Sequence, residues 1–143
     1  MIEFDNVDLE NFELCIWKEA RGEHAEGMQA VGHVIVNRVG TPGFAHTLHD
    51  VIYGRNQFTS MSVSSDPEYN LEPKPGDPQY AYVCSVSSQI LSGIDADVTH
   101  GARYYDVAGT KNGWFTRVIS GPDEMGTPNH PFTVQIGHQR FYV

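Results

Sequence analysis

The chain has 143 residues, with 9 Lys+Arg, 18 Asp+Glu and 7 His, for a formal charge of −9. This length is expected to form one domain, and it can bury roughly two-thirds of its unfolded surface without staples. An apolar content of 40% with 7 Phe, 7 Tyr and 2 Trp excludes a disordered chain, and the acidic balance argues against nucleic acid or anionic lipid as partners. Neutral polymers such as glycans remain compatible with that charge.

In chain order, Leu9, Phe12, Ile16 and Ala20 recur at helical spacing and predict a helix from about Asp8 to Ala20. Asp5, Asn6 and Asp8 offer its N-cap, and Gly22 its stop. Met28, Val31, Val34 and Ile35 predict a second helix over Glu26–Arg38, ended by Gly40, Pro42 and Gly43. Leu48, Val51 and Ile52 suggest a further turn or two before Gly54. From Ser60 to Gln79 serine, proline and acids replace periodic apolar residues, so a long surface loop is expected there.

Asp77 followed by Pro78 is an N-cap and first-turn proline, predicting a third helix that carries Tyr80, Val83, Cys84, Ser87, Ile90, Leu91 and Ile94. Short β-like pieces follow at Ala102–Val107, Trp114–Ile119 and Thr133–Val143, the last bent into a hairpin at Gly137. There is no internal repeat. The expected class is α+β: a helical half followed by a small, irregular β-rich region.

Cys15 and Cys84 are too few for a disulfide framework and read as two buried thiols, with one bridge the alternative. The acidic start of the chain lacks the basic and apolar stretches of a secretory signal, and His33–Asn37, the longest apolar run, is far short of a membrane span. The expectation is a soluble monomer made in the cytoplasm, without membrane insertion.

On a helical wheel advancing about 100° per residue, Glu19 falls between Phe12 and Cys15, on the side facing the core. Burial disfavours a charged carboxylate and raises its pKa, as a general acid near neutral pH requires. The competing reading is a carboxylate buried for structure and paired with Arg21, Arg38 or His33. Glu23 and Glu26 are rival acids, although Glu23 follows the expected helix stop.

Trp17-Lys-Glu19-Ala-Arg-Gly-Glu23, Gly27 and Ala30-Val-Gly-His-Val-Ile-Val-Asn37-Arg38 resemble the signature of the cell-wall hydrolase family of spore cortex-lytic enzymes. Val51-Ile52 leading to Gln57-Phe58-Thr59, then Ala102-Arg-Tyr104-Tyr105, Trp114, Gly137-His138 and Phe141-Tyr142 match in order. His24 and Ala25 depart from the family pattern, which usually has Pro and a bulky residue there.

The resemblance implies a lysozyme-like catalytic half and a lytic transglycosylase of peptidoglycan glycan strands, with Glu19 as the essential acid and no cofactor. A hydrolytic muramidase and a non-catalytic glycan-binding protein on the same fold are the alternatives. The lack of a signal, wall-binding module or anchor is closer to a bacteriophage or virion-associated lysin than to a spore enzyme; otherwise an unusual export route is needed.

Sugars are held by flat apolar faces beside hydrogen-bonding groups. Gln57, Phe58, Tyr104, Tyr105 and Trp114 are candidates through the matching motifs, with His138 a further one, and core packing is the competing role for Phe58, Phe141 and Tyr142. Asn37 and Arg38 are expected to cap and brace their helix. No metal is expected: His46 and His49 stand three apart but lack the glutamate of a metalloprotease helix.

Overall fold

In a computed structural model, residues 2–127 and 130–143 are described. The first helix, α1, spans Asn6–Ala20 and starts at a reciprocal cap: the Asp5 carboxylate accepts from Asp8 N–H at 2.8 Å, and Asp8 accepts from Asp5 N–H at 3.1 Å. Then come α2 (Ala25–Arg38), α3 (Leu48–Tyr53), a single turn α4 (Thr59–Ser62) and α5 (Pro78–Leu91). Helix α5 starts as expected, with the Asp77 carboxylate accepting from Gln79 and Tyr80 N–H.

Helix α1 packs against α2, α3, α4 and α5, so its second half is enclosed on nearly every side. Phe12, Ile16, Val31, Ile35, Ile52 and Ile90 are central to this helical core. Helix α2 passes close enough to its neighbours that a Cβ on Gly32 would lie 3.0 Å from Ile90 Cδ1 and 3.1 Å from Ile16 Cδ1. A larger residue there requires the Ile90 and Ile16 side chains to shift. The opposite side of α2, through Ala30 and Val34, belongs to a second core with Ala102, Ile136 and Phe141. The continuous apolar run in α2 is thus explained: both faces of the helix are covered.

The sheet is antiparallel, in the order β1-β4-β3-β2, from β1 (Tyr104–Val107), β2 (Gly126–Thr127), β3 (His130–Ile136) and β4 (Gln139–Tyr142). The β3–β4 hairpin turns at Gly137, whose φ of 58° suits glycine. A Cβ there would also sit 2.6 Å from Glu23 Oε2, so the hairpin tip rests on the loop between α1 and α2. The chain is α+β, as its sequence predicts.

Five local expectations are corrected. Trp114–Ile119 is not a strand but a helical turn α6 (Gly113–Phe115) running into a π turn at Thr116–Ser120. The Asn112 side chain caps it by accepting from Phe115 N–H at 3.1 Å, and Ile119 and Ser120 are buried consecutively, which an alternating strand does not allow. Ala102 precedes β1 because its carbonyl accepts from Asn37 Nδ2 at 3.0 Å and the Arg103 carbonyl from Arg38 Nε at 2.8 Å.

Ile94 lies beyond the end of α5 and is 78% exposed, because Gly93 turns the chain at φ 75°. Cys84 is exposed rather than buried; its thiol donates to Glu13 Oε2 at 3.3 Å, and Cys15 alone is buried, both being free. The long loop also starts later than expected, since Ser60 and Met61 are buried in α4. No helix among the described residues is long and apolar enough to cross a membrane.

Candidate active site

Glu19 occupies the last turn of α1, where two other elements converge on its carboxyl group. From α4 the Ser60 hydroxyl donates to Oε2 at 3.1 Å, and from β1 the Tyr105 hydroxyl donates to Oε1 at 3.2 Å. Burial pushes the Glu19 carboxyl above the ordinary carboxylate range. The two hydroxyls, which favour the ionised form, draw it partly back, while Glu68 and Asp66 on the following loop push it further up. Among the described residues no cation forms an ion pair with Glu19. Arg21 bonds Glu68 at 2.5 Å, His33 Nε2 lies 2.7 Å from Asp95, and Arg38 is occupied elsewhere, so the purely structural ion pair is not formed.

Glu19 forms part of the wall of a cleft of about 290 Å³, together with Gln57, Phe58, Tyr104, Tyr105 and Trp114. Five of the six side chains predicted to bind sugar therefore meet around the predicted acid. Trp114 is 56% exposed at the cleft, Tyr105 stacks on Phe141, and Tyr104 packs on Phe44 at 5.8 Å. Phe58 is buried under Arg38, whose guanidinium lies 5.2 Å from the rings of both Phe58 and Phe44. The Gln57 amide oxygen accepts from Arg38 Nη1 at 3.1 Å, leaving its NH2 for a ligand.

His138 is not brought to this cleft. It sits in the β3–β4 turn with its side chain 84% exposed, 3.9 Å from Glu23. Glu23 is wedged against that turn and Glu26 is exposed on α2; neither lines the cleft. Phe141 and Tyr142 are core residues. Asn37 and Arg38 brace across to the chain before β1 rather than capping their own helix.

The sequence reading missed Ser60, Phe44, Asn56 and Phe115, and it gave Arg38 a capping and bracing role or a structural pairing with Glu19, not a place in the cleft wall. Asn56 adopts φ 61°, a backbone state enriched in Asn, but nothing local marks Ser60. That serine is placed by Lys18, a lysine only 6% exposed. Its ammonium donates to the Ser60 carbonyl at 3.1 Å and the Tyr69 carbonyl at 2.7 Å, tying both α4 and the loop to α1.

A larger cavity of about 750 Å³ lies between the N-terminal segment and the turn holding His46 and His49. It contains none of the residues above. Among the described residues no three His, Cys, Asp or Glu side chains are grouped to hold a metal.

An acid raised by burial thus stands in an aromatic-lined groove. A family model described as Cell Wall Hydrolase matches residues 22–142, and the chain belongs to that family. The match begins three positions after Glu19. Over 59 residues the chain is 36% identical to the spore cortex-lytic enzyme of Bacillus subtilis (strain 168), a stretch that is 41% of this chain and 19% of that protein. Its fold matches the crystal structure of the catalytic domain of the Bacillus cereus SleB protein with a TM-score of 0.72 at 23% identity, covering 99% and 93% of the two chains. The catalytic domain of the germination-specific lytic transglycosylase SleB from Bacillus anthracis gives 0.71 at 24% identity, covering 98% and 97%.

Proposed function

We propose that the 143 residues act as one catalytic domain, a lytic transglycosylase that cuts peptidoglycan between N-acetylmuramic acid and N-acetylglucosamine. The observation that carries this reading is the Glu19 carboxyl, raised by burial and held by Ser60 and Tyr105 in the aromatic cleft. Protonated Glu19 donates its proton to the glycosidic oxygen as the bond to muramic C1 breaks. The resulting carboxylate takes the proton of the muramic C6 hydroxyl, whose oxygen bonds to C1. The products are a free 4-hydroxyl on one fragment and a 1,6-anhydro sugar on the other, and Glu19 ends protonated as it began.

One carboxyl group suffices because no water attacks. A hydrolytic muramidase needs a second carboxylate to activate water or trap the sugar. By effect on Glu19, Glu68 is the first candidate and Asp66 the second; Glu68 Oε1 accepts from Arg21, and the Asp66 carboxyl is held below the ordinary range by the Thr59 hydroxyl and Glu68 N–H. Those two donors lie at 2.7 and 2.8 Å, one on each of its oxygens.

The test is digestion of purified peptidoglycan followed by mass spectrometry of the released muropeptides. Fragments ending in 1,6-anhydromuramic acid are expected. Reducing-end muramic acid would identify a muramidase, and binding without release would identify a glycan-binding protein.

A further inference from the structure

Behind the wall that carries Trp114 lies a second depression of about 380 Å³. Trp114 and Phe115 face the cleft, whereas Gly113, Thr116 and Arg117 line this second groove, so the helical segment 113–117 separates the two. Lys111 and Arg117 supply the groove's positive charge. Its acid, Glu124, has Arg140 at 3.9 Å.

The chain has only 9 Lys and Arg residues. Lys18, Arg21, Arg38 and Arg140 hold acceptors within the protein. Lys111 and Arg117 are exposed and make no side-chain hydrogen bond or ion pair among the described residues. The Arg117 guanidinium folds back over the shared wall, its Nη1 only 3.3 Å from where a Cβ on Gly113 would lie. Two cations without protein partners therefore converge on a groove beside the candidate active site of a chain with net charge −9. The more distant acids are screened beyond about 8 Å at physiological salt, so the local pair decides what this groove attracts.

We propose that the groove is a subsite for the carboxylates of the peptide stem borne by the muramic sugar, with Lys111 and Arg117 as its anion-binding residues. The inference rests on the glycan-cleaving reading of the cleft. In peptidoglycan the stem is an acidic peptide joined through the lactyl group of muramic acid, so a sugar held against Trp114 carries its negative charge out over one turn of chain. Arg117 offers a planar donor pair matched to a carboxylate, and Lys111 adds a second positive charge.

The test measures equilibrium binding of Glu19→Gln protein, which leaves strands uncut, to glycan strands freed of teichoic acid. Strands are used with their stems and after removal of the stems by an amidase. In the Lys111→Ala/Arg117→Ala double variant the dissociation constant for stem-bearing strands is expected to rise roughly threefold to tenfold, the range for partly exposed ion pairs. Affinity for stem-free strands should not change, and added salt should narrow the difference. Arg117→Glu should give a larger loss on stem-bearing strands alone, and circular dichroism checks that each variant is folded.

Equal loss on both strands, or none on either, overturns the subsite while leaving the glycan cleft standing. A protein that binds neither strand overturns both. Cleavage products of the unsubstituted protein report separately on the reaction.

Discussion

Tyr105 donates its hydroxyl to Glu19 Oε1 at 3.2 Å, joining the end of α1 to the first strand of the sheet across 86 positions. The same ring stacks on Phe141 at 5.8 Å and packs against both the helical and the sheet-side core. Seating of the sheet on the helices therefore sets the surroundings of the acid. With Ser60 on the other oxygen, the carboxyl group is addressed from two elements outside its own helix.

Glu19→Gln should lower lysis of peptidoglycan by more than roughly a hundredfold, since an amide has the shape but not the transferable proton. The protein should be at least as stable as the parent at neutral pH. The raised folded pKa means that the unfolded chain releases this proton first as pH rises, so burying Glu19 destabilises the native state above its unfolded value near about 4.3. Urea unfolding of both proteins should show the advantage of the variant at pH 7 and its disappearance below the unfolded pKa. Near-normal lysis by Glu19→Gln would remove it as the acid.

Ser60→Ala and Tyr105→Phe each delete a hydroxyl that favours ionised Glu19. The Glu19 pKa should rise in both, and a general acid is lost as pH climbs through its pKa. The alkaline limb of the pH–rate profile should move to higher pH, with Ser60→Ala giving the greater shift because its hydrogen bond has the larger effect. A limb that stays in place, or moves down, would separate these hydroxyls from the acid.

Lys18→Met keeps the length of a buried side chain and deletes the ammonium that bonds two carbonyls. The loss should be about 1–3 kcal/mol of unfolding free energy, from carbonyls left without their charged donor. Cleavage by a nonspecific protease should rise between Ser64 and Pro75, the loop that Lys18 anchors at Tyr69. An unchanged midpoint and unchanged proteolysis would mean that the loop is held without it. For the same reason a deletion from Ser64 to Pro75, which by loop-closure entropy alone costs little, also discards a partner of a buried lysine.

Lysis should survive EDTA and a reducing agent. The proposed route uses one carboxyl group, and Cys15 and Cys84 are free thiols. Loss on chelation that zinc restores would point to an amidase instead.

Local chemistry made much of the helical half legible. The reciprocal cap of Asp5 and Asp8, the Asp77-Pro78 start and the apolar stripes of α1 and α2 act over a few residues, so they can be read without the fold. The same holds for the hairpin at Gly137 and for the core-facing position of Glu19. The contacts of Ser60 and Lys18 were not legible, because they span 41, 42 and 51 positions and depend on how α4 and the loop dock. Trp114–Ile119 has strand-like residue types, but the Asn112 cap and consecutive burial of Ile119 and Ser120 make it helical. Sequence by itself determined that α1, α2, α3 and α5 form and that one acid would face inward. Only the tertiary structure decided which hydroxyls meet that acid and which aromatics line its cleft, because hydrogen bonds and burial between distant segments exist only once the helices and sheet have packed together.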